Sequence, residues 1–114
     1  MAAVKFYNKW GFINSTGDIV VGFIYDYVLS YAEGMAAVMK NQQWGFINRT
    51  GQVAVPLTYD NVNSFQEGFA VVQKDDVKGF VNKKGKVTLP LLYDDAFNFS
   101  DGLSAVKKRI NGDL

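Results

Sequence analysis

Aromatic side chains recur at a fixed spacing along this chain of 114 residues, and they are its first candidates for binding chemistry. Two tryptophans, Trp10 and Trp44, lie 34 residues apart. An exposed indole face can stack on a sugar or a base, an interaction of about 1–3 kcal/mol per stacked base. The alternative is that both indoles pack against a neighbouring structural unit, as large aromatic side chains usually do.

Three tyrosines follow the same spacing, at Tyr25, Tyr59 and Tyr93. A tyrosine ring is apolar and its hydroxyl is polar, so these residues can pack in a core with the hydroxyl bonded to a backbone group. They can also extend a stacking surface that the tryptophans begin. The candidate ligand-binding residues are therefore Trp10, Trp44, Tyr25, Tyr59 and Tyr93.

An aspartate follows each of these tyrosines, at Asp26, Asp60 and Asp94. Paired carboxylates perform acid/base chemistry or bind cations, and these three would meet at a cation if the repeats were arranged about an axis. One carboxylate per repeat at one position is more typical of a residue that caps a turn. A second set of acids lies beside glycines and is expected to be solvated: Glu33, Glu67 and Asp101.

The chain contains no cysteine and no histidine. Without cysteine it forms no disulfide and no thiolate metal site. Without histidine it lacks the commonest general base and the commonest metal ligand. No base is available to activate a serine or threonine nucleophile. The sequence therefore predicts a non-enzymatic protein with no catalytic residue, no metal site and no cofactor.

The formal net charge is +1, and basic residues cluster only at 83–86 and 107–109. A nucleic-acid site requires a stronger basic patch, so these clusters are interpreted as solvated edges that discourage aggregation. No apolar run reaches the roughly 18 residues of a membrane span, and residues 1–5 do not resemble a signal peptide. We therefore expect no membrane partner and no nucleic-acid partner. The location stays open: cytoplasmic for a full-length chain, cell-surface or secreted for an excerpt of a longer array.

The regular spacing comes from a motif that occurs three times, in residues 10–17, 44–51 and 78–85. Its second copy reads Trp-Gly-Phe-Ile-Asn-Arg-Thr-Gly, and Lys78 replaces the tryptophan in the third copy. Recurrence at such a period is the signature of a repeat architecture. The predicted units are 1–34, 35–68 and 69–102, and 103–114 begin an incomplete fourth. No linker separates the units, so residues 1–114 are interpreted as a single domain.

Each unit is predicted to contain three short antiparallel strands, because apolar runs alternate with two polar turns. The second turn ends in a glycine that is expected to need a positive φ angle: Gly17, Gly51 or Gly85. Proline cannot donate to a strand ladder, so Pro56 and Pro90 are predicted to close the third strand.

A crossover is expected to carry the chain from the third strand to the next unit. It contains an aromatic residue predicted to face the core, at Tyr31, Phe65 and Phe99. It ends in a glycine predicted to make a turn, at Gly34, Gly68 and Gly102. Because the apolar residues show no sustained 3.6-residue period, helical content should be low.

Repetition has a physical reason, since a three-stranded sheet of 34 residues cannot cover its own apolar face. Stacking the next unit on that face removes it from water, which contributes about 1.5–3 kcal/mol for each buried phenylalanine. The predicted fold is therefore all-β. It has three tandem 34-residue units, each a three-stranded antiparallel meander plus a crossover, stacked as an open twisted or propeller-like array.

The sequence resembles the WG-repeat family, also called the KWG-repeat family. Residues 9–14, Lys-Trp-Gly-Phe-Ile-Asn, are close to the motif that names the family. Residues 65–72, Phe-Gln-Glu-Gly-Phe-Ala-Val-Val, match the second half of its repeat. The resemblance covers essentially the whole chain and departs from the family pattern at Lys78. It implies a bacterial repeat protein with an interaction role, and it implies no catalytic residue.

Two functions are compatible with these features. The first is a non-enzymatic module for protein–protein interaction or scaffolding, since repeat arrays present extended surfaces to protein partners. The second is a module that binds or sequesters a glycan or a nucleotide by stacking it on the candidate aromatic residues.

The strand expected at residues 103–109 has no partner within its own unit, and an unpaired strand edge is a template for another strand. Three pairings are open. It closes the array on the N-terminal unit, it joins a second copy of the chain in a homo-oligomer, or it continues into a longer array.

Overall fold

The computed structural model describes the backbone of residues 1–96 and 106–108 and the side chains of residues 1–88. No helix occurs among these residues, which confirms the predicted all-β fold. The strands are β1 Ala2–Phe6, β2 Lys9–Ile13, β3 Ile19–Tyr25, β4 Tyr27–Val28, β5 Ala36–Lys40, β6 Gln43–Ile47, β7 Val53–Tyr59, β8 Asn61–Val62, β9 Phe69–Lys74, β10 Val77–Asn82, β11 Val87–Ala96 and β12 Val106–Lys108.

The strands form three antiparallel sheets, each built on one predicted meander. The first sheet has the order β1-β2-β3, the second β4-β5-β6-β7, and the third β12-β11-β10-β9-β8. The first turn of each meander has two residues with positive φ, as in tight hairpins of the I′ type: Tyr7-Asn8, Asn41-Gln42 and Asp75-Asp76. The second turn ends in a glycine with positive φ, as predicted: Gly17 at 87°, Gly51 at 86° and Gly85 at 81°.

The crossover contributes a short strand that the sequence did not predict. β4 pairs antiparallel with β5 of the following unit, with Tyr27 opposite Met39 and Val28 opposite Val38. β8 pairs with β9 in the equivalent register. Each of the second and third sheets therefore begins with a strand from the preceding unit, so the sheets do not coincide with the repeat frame.

The rest of the crossover is as predicted where the structure describes it. Phe65 is buried and Tyr31 is half-buried, and both rings face a core between sheets. Gly34 and Gly68 make the turn with φ angles of 80° and 85°. Phe99 and Gly102 lie outside the described residues.

The strand predicted at 103–109 is observed at residues 106–108. β12 pairs with β11, with Ala96 opposite Val106 and Asp95 opposite Lys107. This register repeats the pairing of β4 with β5, two units further along the chain. Residues 103–105 and 109 lie outside the described residues, and the pairing of the other edge of this strand stays a prediction.

Pro56 does not close the third strand, so that prediction is wrong. β7 continues through Pro56 to Tyr59, and β11 continues through Pro90 to Ala96. The register of β7 against β6 shifts between the pair Phe46–Val55 and the pair Trp44–Tyr59, which marks a β-bulge at the proline. A bulge leaves residues out of the strand ladder, and a proline without an N–H group is therefore accommodated inside the strand.

The same bulge explains the glycine of the Trp-Gly pair. A Cβ atom at Gly45 would lie 2.8 Å from the backbone of both Pro56 and Leu57. A Cβ atom at Gly11 would lie 2.8 Å from the carbonyl oxygen of Gly22. Any side chain here would push the bulged strand away, so this position requires glycine because of a close backbone approach.

The sheets stack face to face and bury the apolar side chains between them. The core between the first and second sheets contains Phe12, Val21, Tyr25, Val28, Ala36, Val38 and Ile47. The core between the second and third sheets contains Met35, Ala37, Phe46, Val55, Tyr59, Val62, Phe65, Ala70, Val72 and Val81. Each sheet thus shields the apolar face of the next, as the repeat predicted, in an open propeller-like stack.

Candidate functional site

Each tryptophan of the repeat lies directly opposite a candidate tyrosine in its own sheet. Trp10 pairs with Tyr25 and Trp44 pairs with Tyr59, and the backbone of Tyr93 pairs with Lys78. Tyr25 and Tyr59 are only 4% and 8% exposed, and this burial raises the pKa of both hydroxyls. Both rings therefore belong to the cores between sheets. The side chain of Tyr93 lies outside the described side chains.

Trp10 and Trp44 are half-buried and lie on either side of Tyr27. The ring centroid of Tyr27 is 6.1 Å from each indole, with interplanar angles of 84° and 88°. Such edge-to-face contacts are favourable because the positive edge of one ring meets the negative face of another. Trp10, Tyr27 and Trp44 thus form an aromatic row that spans the first two sheets. The structure brings the two candidate tryptophans together through this residue.

Tyr27 is 48% exposed, which makes it the most open member of the aromatic row. Sequence reasoning missed it because the equivalent positions hold Asn61 and Asp95, so it is not a repeated feature. The sequence feature that could have identified Tyr27 is its position two residues after Tyr25, at the start of the crossover.

The aspartates that follow the tyrosines cap turns in the next sheet. The carboxylate of Asp26 accepts a hydrogen bond from the Asn41 amide at 2.9 Å and is ion-paired with Lys9. The bond from Lys9 is the main cause, and the Asn41 amide the next, of the lowered pKa of Asp26. Asp60 accepts the equivalent bond from the Asp75 amide at 3.0 Å. The predicted capping role is confirmed for these two residues, and the side chain of Asp94 lies outside the described side chains.

Glu33 is exposed, as expected, and it also makes contacts that the sequence did not predict. Its carboxylate accepts hydrogen bonds from the backbone amides of Glu67 at 2.6 Å and Gly68 at 2.8 Å. The Nζ atom of Lys83 lies 3.6 Å from the same carboxylate. These donors lower the pKa of Glu33, and the hydrogen bond from the Gly68 amide is the largest cause. Glu33 therefore ties the crossover turn of its own unit to the equivalent turn of the next, and Lys83 adds a link to the third unit.

An open groove of about 370 Å³ lies between the first and second sheets. It is bounded by the end of β3, the β5–β6 turn and β7, and its lining residues are Ile24, Tyr25, Lys40, Asn41, Gln43, Val53 and Leu57. The branched side chains of Ile24 and Val53 are 50% and 54% exposed. We call this feature the inter-sheet groove. Its volume falls in the range of sites that accept a small ligand or a few side chains of a partner.

The inter-sheet groove combines an apolar rim with one cation. Ile24, Val53 and Leu57 offer aliphatic surface, and Lys40 lies at the end of β5 beside them. Asn41 and Gln43 add amide groups that donate and accept hydrogen bonds. This arrangement suits an aliphatic or aromatic side chain that is followed by a carboxylate. Sequence reasoning did not find the groove, because its residues come from two units and are brought together by stacking.

Among the residues that the structure describes, no group of three acidic residues lies close enough together to hold a metal ion. Within the same residues, no helix has the length and apolar character of a membrane span.

A family model for the WG containing repeat matches this chain three times in tandem. The matched residues are 10–44, 44–77 and 79–109, so the model covers well over half of the sequence. Each match begins within the second strand of a meander, and the first two matches end within the next meander. Lys78, where lysine replaces tryptophan, lies between the second and third matches. No curated protein and no solved structure matches the chain.

Proposed function

The chain belongs to the WG-repeat family, and from this premise we propose that it is a non-enzymatic module for protein–protein interaction. The partner docks in the inter-sheet groove through an apolar side chain next to a carboxylate. The observation that carries this proposal is the pair of half-exposed aliphatic residues, Ile24 and Val53, beside Lys40 in an open groove.

The energetics of docking follow from the exposed apolar surface. Ile24 and Val53 each retain about half of their surface in contact with water. Covering the exposed half of each contributes about 1 kcal/mol. Lys40 adds attraction for a carboxylate, which affects the association rate and the salt dependence more than the affinity. A short peptide segment in this groove would therefore bind weakly, and the repeat array would strengthen binding by presenting further surface.

The test uses peptides selected from a random displayed library against the full chain. Binding of the selected peptides is then measured by calorimetry for the wild type and for the double variant Ile24→Thr/Val53→Thr. Thr58 occupies the position equivalent to Ile24 in the second unit, so the fold accommodates threonine there. The double variant is expected to bind about 10-fold to 30-fold more weakly, from about 1 kcal/mol at each site.

Val87→Thr is the matched control, because Val87 occupies the position of Val53 in the next unit and is 41% exposed. It is expected to bind the peptides as the wild type does. Lys40→Gln is expected to reduce the salt dependence of binding for acidic peptides. Equal binding by the wild type and the groove variant would contradict the proposal.

A second candidate function is the binding of a glycan or a nucleotide, and the 48% exposure of Tyr27 favours it. A ligand stacking on the aromatic row would change the fluorescence of Trp10 and Trp44. The test is a fluorescence titration against glycans and nucleotides, repeated with Tyr27→Asn, since asparagine occupies this position at Asn61. Quenching that the variant abolishes would support this function, and emission that no ligand changes would argue against it.

A further inference from the structure

The third unit departs from the repeat at four positions that the fold brings together. At each of them an apolar residue of the second unit is replaced by a polar residue 34 positions later. The replacements are Tyr27 by Asn61, Leu29 by Asn63, Met39 by Gln73 and Trp44 by Lys78. In the structure the four polar residues line one notch of about 30 Å³ in the third sheet. We call it the polar notch.

The register of the third sheet explains why these residues meet. Asn61 lies directly opposite Gln73, and Gln73 lies directly opposite Lys78. Residues directly opposite each other in antiparallel strands place their side chains on the same face. Because neighbouring strands are about 4.8 Å apart, the three side chains form a row about 10 Å long. Asn63 follows β8 and extends the notch, and its backbone amide donates to the Val71 carbonyl at 3.0 Å.

The amide side chains of the polar notch have hydrogen-bonding capacity that the described residues do not use. The side chain of Gln73 is half-buried and has no hydrogen-bond partner among these residues. The side-chain oxygen of Asn61 accepts a hydrogen bond from the Val62 amide at 2.9 Å, and its NH₂ group stays available. A primary amide both donates and accepts hydrogen bonds. A row of such groups therefore matches a ligand whose groups also do both, as hydroxyl groups do.

An indole borders the polar notch. Trp10 of the first sheet contacts Tyr27 of the second, and Trp44 and Asn61 occupy the same two positions one unit later. Trp44 packs against the core between the second and third sheets. Because asparagine is smaller than tyrosine, the side of Trp44 that faces the third sheet is less covered than the equivalent side of Trp10.

We propose that the polar notch and Trp44 form a binding subsite for a neutral sugar. One face of a pyranose ring carries C–H groups, which the negative face of an indole attracts. The hydroxyl groups at its rim match the amides of Asn61 and Gln73. The volume of the notch suits a single water-sized group, so it receives one hydroxyl while the ring stays outside on Trp44.

The same chemistry favours a sugar over a nucleotide. Phosphate groups are bound by clusters of cations or by arginine, whereas the row of the polar notch contains one lysine between amides and strands. Sugar binding here rests on the second candidate function and narrows its ligand to a glycan. It does not depend on partner binding in the inter-sheet groove, which lies between the first and second sheets.

The first test is an NMR titration of the nitrogen-15-labelled full chain, which at 12.7 kDa is small enough for side-chain NH₂ signals to be followed. The probes are neutral oligosaccharides of glucose, galactose, mannose and N-acetylglucosamine at millimolar concentration, with ATP as the nucleotide. At least one oligosaccharide is expected to shift the NH₂ signals of Asn61 and Gln73 and the indole N–H signal of Trp44. Signals that no oligosaccharide shifts, or that only ATP shifts, overturn the proposal.

The second test measures how strongly Gln73→Met binds the oligosaccharide found in the first. Methionine occupies this position in the second unit, as Met39, so the fold accommodates it. The variant is expected to bind about 5-fold to 10-fold more weakly, because the hydrogen bonds of one neutral side chain are lost. Gln66→Met is the matched control, since it makes the same change at an exposed residue outside the notch. Equal binding by the wild type and both variants overturns the subsite.

Tyr27→Asn distinguishes a failure of this subsite from a failure of the second candidate function. A glycan whose binding is lost with Tyr27→Asn and unchanged with Gln73→Met lies on the aromatic row alone, which keeps the second candidate function and overturns the subsite. A wild type that binds no glycan overturns both. Binding that Gln73→Met weakens and Gln66→Met does not supports the subsite.

Discussion

At the scale of single residues, the polar side chains of the repeat are used to cap turns. The side-chain oxygen of Asn48 accepts hydrogen bonds from the amides of Thr50 and Gln52, each at 3.0 Å. Asn14 and Asn82 do the same in their own units. These caps satisfy backbone donors in turns that would otherwise depend on water. The recurrence of asparagine at this position of the motif therefore has a folding reason.

The capping role of Asp26 and Asp60 was predictable because one acid per unit in a turn context points to it. The role of Glu33 was not. Its partners are Glu67 and Gly68, about one full repeat away, and a local reading of the sequence shows only an acid beside a glycine. A link between equivalent turns becomes visible only when the stacking geometry is known.

We predict that Glu33→Gln lowers the free energy of unfolding by about 1 kcal/mol at pH 7, a modest value because the carboxylate is largely exposed. Because the native pKa of Glu33 lies below the ordinary value of 4.5, its contribution is complete above pH 4.5. It is lost as the pH falls through the native pKa. Urea denaturation of both proteins at several pH values should show the difference shrinking below pH 4.5. A difference that does not change with pH would contradict this role.

At the scale of strands, the bulge in the third strand determines which residues the motif can contain. The alternation of apolar and polar residues was enough to predict three strands and two turns in each unit. It was not enough to place the end of the third strand, because a proline usually marks a strand end and here lies at a bulge. The short strands β4 and β8 were also missed, since two residues carry no periodic signal.

We predict that Gly45→Ala destabilises the protein by about 2–3 kcal/mol, because the new methyl group overlaps the backbone of Pro56 and Leu57. Gly22→Ala is the control, because Gly22 lies in the bulge of the first sheet at the position that Pro56 occupies in the second. A Cβ atom there meets no other atom within 4 Å, so its effect should stay within about 0.5 kcal/mol. Equilibrium unfolding in urea measures both. Equal effects of the two substitutions would show that the close approach is not what requires glycine.

At the scale of the whole molecule, the stack of three sheets was predictable from the repeat and the need to bury apolar faces. The candidate sites were only partly predictable. Trp10 and Trp44 were identified, but their contact with Tyr27 and the inter-sheet groove depend on how two units meet. Residues from different units carry no common sequence signal. A prediction from one sequence therefore recovers the strands and turns that recur in each unit, and it misses contacts and grooves that form only where two units stack.

We predict that the sheets unfold together, since shared strands and continuous cores couple them. Phe65 packs on Phe46 at 4.7 Å between the second and third sheets, and Phe65→Leu should cost about 1–2 kcal/mol. Phe65→Leu is combined with Trp44→Phe, which leaves Trp10 to report on the first sheet, or with Trp10→Phe, which leaves Trp44 to report on the second. Both transitions should shift to the same lower midpoint. A shift confined to the Trp44 signal would show that the first sheet unfolds independently.

Because the second and third sheets each begin with a strand of the preceding unit, a segment that carries a whole sheet does not begin where a sequence repeat begins. A segment of residues 27–60 carries every strand of the second sheet, from β4 to β7. A segment of residues 35–68 has the same length but separates β5 from β4 and carries β8 of the neighbouring sheet instead. Duplicating residues 27–60 should thus lengthen the protein by one whole sheet. A copy of residues 35–68 divides two sheets instead, so the strands on either side of it must also be matched to their new neighbours.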